Sequence, residues 1–163
     1  MAMQMTVRAS TKSSTDAKHR ERSQARAHVS EIAFLDSGIF IAALSRRDRV
    51  HPQAVELFGR ERTRWVTSLL VISESYSWFL HRHGEEAARS LRAFISALTG
   101  LTVLPVTPED HEGTLRVLDR FRGTKLTYVD AASLWWIERR KIKTVWSTDH
   151  HLGLTGAEIL PRS

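Results

Sequence analysis

The first hydrophobic cluster is Ile32, Ala33, Phe34 and Leu35, a four-residue run after thirty-one mostly polar positions. A short apolar run of this kind predicts a strand buried on both faces. It ends at Asp36-Ser37-Gly38, and the apolar stretch 39–44 predicts a helix behind it. Residues 51–62 set Val55, Leu57 and Phe58 on a helical stripe, with Pro52 near its start. Residues 65–67 predict a second strand and 68–82 a long, mostly apolar helix. His83-Gly84 breaks that helix. Residues 85–98 then predict an amphipathic one, with Ala88, Leu91, Ile95 and Leu98 in phase.

Residues 101–106 predict a third strand, closed by Pro105 and Pro108. A helix over 108–121 carries Leu115, Leu118 and Phe121 on one side. The polar connection 122–127 separates it from a helix over 128–141. Residues 143–147 predict a fourth strand and 157–160 a short fifth. Strands alternate with helices throughout, which is the α/β pattern of a parallel sheet covered on both faces.

Composition narrows the reading. The chain has 163 residues, 42% of them hydrophobic, with five Trp and six Phe, enough for a sizeable core. No run approaches the length of a membrane span. The absence of cysteine excludes a disulfide framework, a thiolate zinc site and a cysteine nucleophile. It also fits a reducing compartment, and a cytoplasmic location is expected. The net charge is +6, but residues 1–30 hold six basic and two acidic residues, so most of the excess lies there. Residues 1–30 are expected to form a basic, disordered N-terminal extension, and 31–163 the folded domain.

Candidate chemistry lies where acids interrupt apolar sequence. Asp36 ends the first strand and Asp149 follows the fourth; Glu74 sits inside VISESYSWFL and Asp130 inside LTYVDAASLWW. Acidic side chains are seldom buried unless their charge is compensated. In an open α/β sheet the carboxyl ends of the strands form the ligand crevice. Asp36 and Asp149 share it if strands one and four are neighbours. Each acid also has a plainer reading. Asp36 can cap the helix after it, Asp130 can favour a helix N-terminus, Glu74 can pair with an arginine, and Asp149 can belong to a turn with His150 and His151. Converging carboxylates repel one another, and a hard divalent cation such as Mg²⁺ removes that problem with oxygen ligands and retained waters.

In order and context, FLDSGIFIAAL, VISESY and LTYVDAASLWWIERRKIKTVWSTDHHL resemble the PIN-domain ribonucleases, and most closely the VapC-type toxins of toxin–antitoxin pairs. The resemblance spans about 32–161. It implies a three-layer α/β/α fold with a central, mostly parallel sheet of four to five short strands. It implies a Mg²⁺-dependent endoribonuclease, with Mn²⁺ as an alternative ion. Asp36 and Asp130 would be the direct metal ligands. Glu74 and Asp149 would complete the catalytic cluster, and Ser37 and Ser147 would support it. The implied partners are an RNA substrate, a VapB-type antitoxin and a second copy of the chain. The alternative is a catalytically silent PIN-fold module that binds RNA or protein. A receiver-type phosphoacceptor role for Asp36 fits poorly, because only Glu31 precedes the first strand as an extra acid.

RNA reaches an acidic site only if cations flank it. Arg46 and Arg47, after the first helix, and Arg122 and Lys125, before Asp130, are the candidate RNA contacts. Arg49, Arg120, Arg139, Arg140, Lys141 and Lys143 are further cations in the same runs. Trp135 and Trp136 invite base stacking, although a helical aromatic pair more often packs in a core.

Overall fold

Two apolar strands, each buried along most of its length, form the centre of the molecule. The computed structural model describes residues 31–60 and 63–162; the extension expected over 1–30 lies outside the described residues. Strand β1 (Glu31–Leu35) buries Ala33, Phe34 and Leu35 completely, and β4 (Thr144–Trp146) is buried at all three positions. They lie side by side, Leu35 against Trp146, in a five-stranded sheet of order β3-β2-β1-β4-β5. Strand β2 (Thr63–Ser68), β3 (Leu101–Leu104) and β5 (Glu158–Leu160) complete it, and every pairing is parallel. A strand covered on both faces must be apolar without alternation, which is why β1 reads as a continuous run.

Six helices connect the strands: α1 (Ser37–Leu44), α2 (His51–Phe58), α3 (Leu69–His83), α4 (Glu85–Ala97), α5 (Pro108–Arg120) and α6 (Tyr128–Arg139). A 3₁₀ turn, His150–Gly153, lies between β4 and β5. The result is the expected three-layer α/β/α arrangement. No helix among the described residues is long and apolar enough to cross a membrane. Short-range chemistry sets the helix boundaries. Ser68 caps α3 by accepting from the Val71 N–H at 3.2 Å. Gly84 separates α3 from α4 at φ 84°, ψ −179°, a conformation open essentially to glycine alone. Beneath the helices, Phe58 packs edge-on against Trp146 and Phe94, with ring centroids 5.3 and 5.1 Å away, and Trp65 meets Trp146 at 6.2 Å.

Several expectations are corrected. Helix α2 ends at Phe58, short of residue 62, where Gly59 takes the C-cap. Its buried positions are Ala54 and Leu57, and Val55 is exposed. Strand β3 stops at Leu104 because Pro105 has no N–H to continue the ladder. On α5 the expected stripe is displaced. Leu115 is exposed, and the buried face is Asp110, Gly113, Thr114 and Val117. The reason is Trp135 on α6. A Cβ on Gly113 would lie 2.3 Å from its indole ring. Trp135 Nε1 donates to Asp110 Oδ1 at 3.1 Å, and Arg116 and Arg139 lie over the indole. Burial alone would raise the pKa of Asp110, but hydrogen bonds from Thr107 and Trp135 and the charge of Arg139 hold it below the usual range. Trp136 is 6% exposed and belongs to the core, so both tryptophans pack within the fold and base stacking by Trp136 is excluded.

Candidate active site

Parallel pairing of β1 with β4 brings their carboxyl ends together, and Asp36 and Ser147 follow those ends directly. The Asp36 N–H donates to Trp146 O at 3.1 Å, extending the ladder by one residue into the crevice. Asp36 is 5% exposed. Its Oδ2 accepts from the Ser147 hydroxyl at 2.8 Å and from the Gly38 N–H at 3.3 Å. The same Ser147 oxygen accepts the Asp149 N–H at 2.9 Å. One hydroxyl therefore ties the acid after β1 to the acid after β4.

Burial pushes the Asp36 carboxyl up to about 6; the Ser147 hydroxyl and the Ser37 and Gly38 N–H groups oppose the rise, and the charge of Glu74 adds to it. Asp36 and Asp110 are thus opposite cases of a buried acid. Asp110 has enough donors and a cation to stay charged, whereas Asp36 has hydrogen bonds but a net penalty on its anion. Ser37 contributes through its backbone, as the first residue of α1.

The other acids are held by local structure. Asp130 is the third residue of α6 and completes a capping box. Its Oδ2 accepts the Thr127 N–H at 2.8 Å, while its own N–H donates to Thr127 Oγ1 at 3.1 Å. Asp149 caps the 3₁₀ turn, with Oδ1 accepting from the His151 N–H at 2.9 Å and lying 2.8 Å from His151 Nδ1. Glu74 is half-buried on α3. Helix α6 packs against α3 and against the turn that Asp149 caps, and the charge of Glu74 is felt at Asp36. The capping and turn readings of Asp36, Asp130 and Asp149 therefore hold as local geometry, alongside any chemistry. The four carboxylates do not converge closely. Among the described residues, only Asp149, His150 and His151 bring three ligand atoms within 4.8 Å of one another.

The candidate RNA contacts divide. Arg46 and Arg47 are exposed in the turn after α1, beside a shallow recess bordered by Phe79 and His83. Arg122 pairs with Asp119 at 3.3 Å, and Lys125 is exposed with φ 58°. Arg120 pairs with Glu138 at 2.7 Å and Arg139 with Glu109 at 2.7 Å, while Arg116 and Arg140 lie over Trp135 and Trp136. Thr148 was not singled out in the sequence. It fits against Gly38, where a Cβ would lie 2.3 Å from its hydroxyl oxygen, so glycine lets the start of α1 close on the strand ends.

Ser147→Ala is expected to destabilise the protein by about 1–3 kcal/mol at pH 7.5, because a buried carboxylate and a partly buried N–H lose their shared partner. The loss should shrink at pH 5, where Asp36 is mostly protonated. Urea unfolding at the two pH values checks this, and an equal loss at both would disconnect Ser147 from the charge on Asp36.

Comparison with known proteins agrees with this frame. Among solved structures, Mycobacterium tuberculosis VapC20, a sarcin-ricin loop cleaving toxin, is similar with a TM-score of 0.71 and 24% identity, over 78% of this chain and 97% of VapC20. At that identity the likeness shows the fold. No curated protein sequence matches the chain. The PIN-domain family profile matches residues 33–157, from the middle of β1 to the residue before β5. That match takes in all four acids and both strand ends that carry the site, and the chain belongs to the PIN-domain family.

Proposed function

We propose that this protein is a divalent-metal-dependent endoribonuclease, the VapC-type toxin of a toxin–antitoxin pair. Its substrate is RNA and its ion Mg²⁺ or Mn²⁺. The observation that carries the reading is Asp36: a carboxylate at the carboxyl end of the central strands, 5% exposed, whose pKa burial raises to about 6. Hydrogen bonds leave that anion under-compensated, and a divalent cation would supply the missing charge.

Asp36 and Asp130 would hold the ion directly, with Glu74 and Asp149 reaching it through water. When bound, such an ion neutralises phosphate charge and lowers the pKa of an attacking water. The chain's own part is orientation. Ser147 fixes Oδ2 of Asp36, and the Thr127 N–H occupies Oδ2 of Asp130. His151 holds Oδ1 of Asp149. Three of the four acids are thus pinned through one oxygen, Asp36 from the end of the neighbouring strand and Asp130 and Asp149 within their own turns, which limits the rotamer entropy lost when an ion binds. As a VapC-type toxin, the chain would pair with a second copy, act in the cytoplasm and be neutralised by a VapB-type antitoxin. Residues 31–163 would form the nuclease domain, with 1–30 as an extension to it.

Wild type and Asp130→Asn, incubated with total bacterial RNA in Mg²⁺, Mn²⁺ or EDTA, test this by sequencing of new 5′ ends. The expected result is a small set of discrete ends that require both metal and Asp130. Absence of cleavage by folded, antitoxin-free wild type would overturn it in favour of a silent PIN-fold binding module.

A further inference from the structure

Beside the acids lies a cavity of about 420 Å³, large enough for a small ligand such as one nucleotide. It opens over the carboxyl ends of β4 and β5 and shares Ser147 with the acid site, since the hydroxyl of that residue holds Asp36. Its apolar wall is Val50, Ile159 and Pro161, and Arg49 and Arg162 stand at its rim. Local hydrogen bonds hold the loop that carries Arg49. Asp48 Oδ1 accepts the Val50 N–H at 2.9 Å, the Asp48 N–H donates to Ser45 O at 2.9 Å, and His51 Nδ1 lies 2.8 Å from Ala42 O. Asp48 is thereby occupied within its own turn. Arg162 pairs with Glu158, while Arg49 is exposed and makes no ion pair with the described residues.

We infer that this cavity is the seat of a nucleotide adjoining the scissile phosphate, with its base against Val50, Ile159 and Pro161 and its backbone phosphate on Arg49. The inference rests on the nuclease reading and adds the source of base preference. An RNA strand crossing an acidic site is repelled there and needs a cation close by. On the α5–α6 surface Arg120, Arg122 and Arg139 are tied into ion pairs and Arg116 and Arg140 lie over tryptophan rings, whereas Arg49 is engaged by neither and stands one residue from an apolar wall. An extended acidic peptide would use the arginine, but it has no need of a recess with an apolar wall on the scale of one base.

The test uses the full chain carrying Asp130→Asn and fluorescently labelled eight-nucleotide RNA pools, measured by anisotropy over a range of salt. Arg49→Glu is added to one sample and Arg92→Ala, exposed on α4, to a control. Arg49→Glu is expected to weaken RNA binding about tenfold and to lower the salt slope by about 0.7, the share of one single-strand phosphate. Arg92→Ala should change neither. In the cleaving protein, Ile159→Ala should alter the base preferred at one position beside the cut, with its melting temperature recorded to confirm folding. RNA binding and cut-site preference that both survive these changes would overturn the inference while leaving the nuclease intact. Loss of acidic-peptide binding in Arg49→Glu with RNA binding unchanged would assign the cavity to a protein partner. A parent protein that binds no RNA would remove the nuclease reading and this inference together.

Discussion

Asp36→Asn is expected to slow RNA cleavage about a thousandfold and at the same time to make the metal-free protein more stable at neutral pH. The first effect follows from the proposed role of Asp36 as a direct ligand; loss of several kcal/mol of charge stabilisation lowers the rate about a thousandfold. The second follows from burial. In the folded chain Asp36 has a pKa of about 6, against an ordinary 3.8, so the fold prefers its protonated form. The stability it contributes is full below pH 3.8 and is lost as the pH rises through 6. By pH 7 that loss amounts to roughly 3 kcal/mol at most. Asparagine has nearly the same shape, keeps an oxygen acceptor for Ser147 and Gly38, and carries no charge. Thermal melts in EDTA between pH 4 and pH 8 should show wild type and variant alike at the acid end. They should separate by several degrees at the neutral end, with the variant higher. Adding Mg²⁺ should raise the wild-type melting temperature at pH 7.5, much less at pH 5, and should not raise that of the variant. Parallel melting curves for the two proteins across the whole pH range would show that Asp36 carries no burial penalty.

The largest purely structural effect should come from Trp146→Ala. Trp146 is 1% exposed, lies edge-on to Phe58 and meets Trp65, while Phe58 in turn holds Phe40 and Phe94. Truncation removes a large, fully buried ring from that cluster and should cost about 3–5 kcal/mol. That is a large share of the roughly 5–15 kcal/mol that typically separates a folded domain from its unfolded state. The consequence reaches the site, because Trp146 O is the acceptor that positions the Asp36 N–H. Urea unfolding should show a much lower midpoint, and any folded remainder should gain less stability from Mg²⁺ than wild type does. Trp146→Phe, which keeps an edge-on ring, should cost well under half as much. A midpoint for Trp146→Ala within 1 kcal/mol of wild type would contradict the packing described here.

Legibility in the sequence followed how local each determinant is. The break at Gly84, the strand ending at Asp36 and the helix opening at Tyr128 each depend on a few consecutive residues, and all lie where the pattern puts them. The face that α5 buries depends on another helix. Leu115 is the more apolar residue, but Gly113 is buried because the Trp135 ring needs the space a side chain would fill. Hydrophobicity along one helix cannot register a partner 22 residues away on the next. Asp110 shows the same limit from the other side. It is as buried as Asp36 and sits in an unremarkable PEDH stretch, because the donors that keep it charged come partly from α6.

The residue types and order alone determined the α/β class, the alternation of strand and helix, and the identity of four acids set against apolar sequence. These follow from periodicity and from the cost of burying charge, and both are properties of the chain read locally. Only the tertiary structure decided that β4 lies beside β1, and with that pairing Ser147 became the bridge between Asp36 and Asp149. Only it separated Asp36, whose anion is penalised, from Asp110, whose anion is satisfied. It also placed Arg49 at the rim of a cavity that Ser147 shares with the acids. Strand order, burial and the partners of a charge depend on contacts between residues from about twenty-five to more than a hundred positions apart, and the pattern along a chain does not record which distant segments meet.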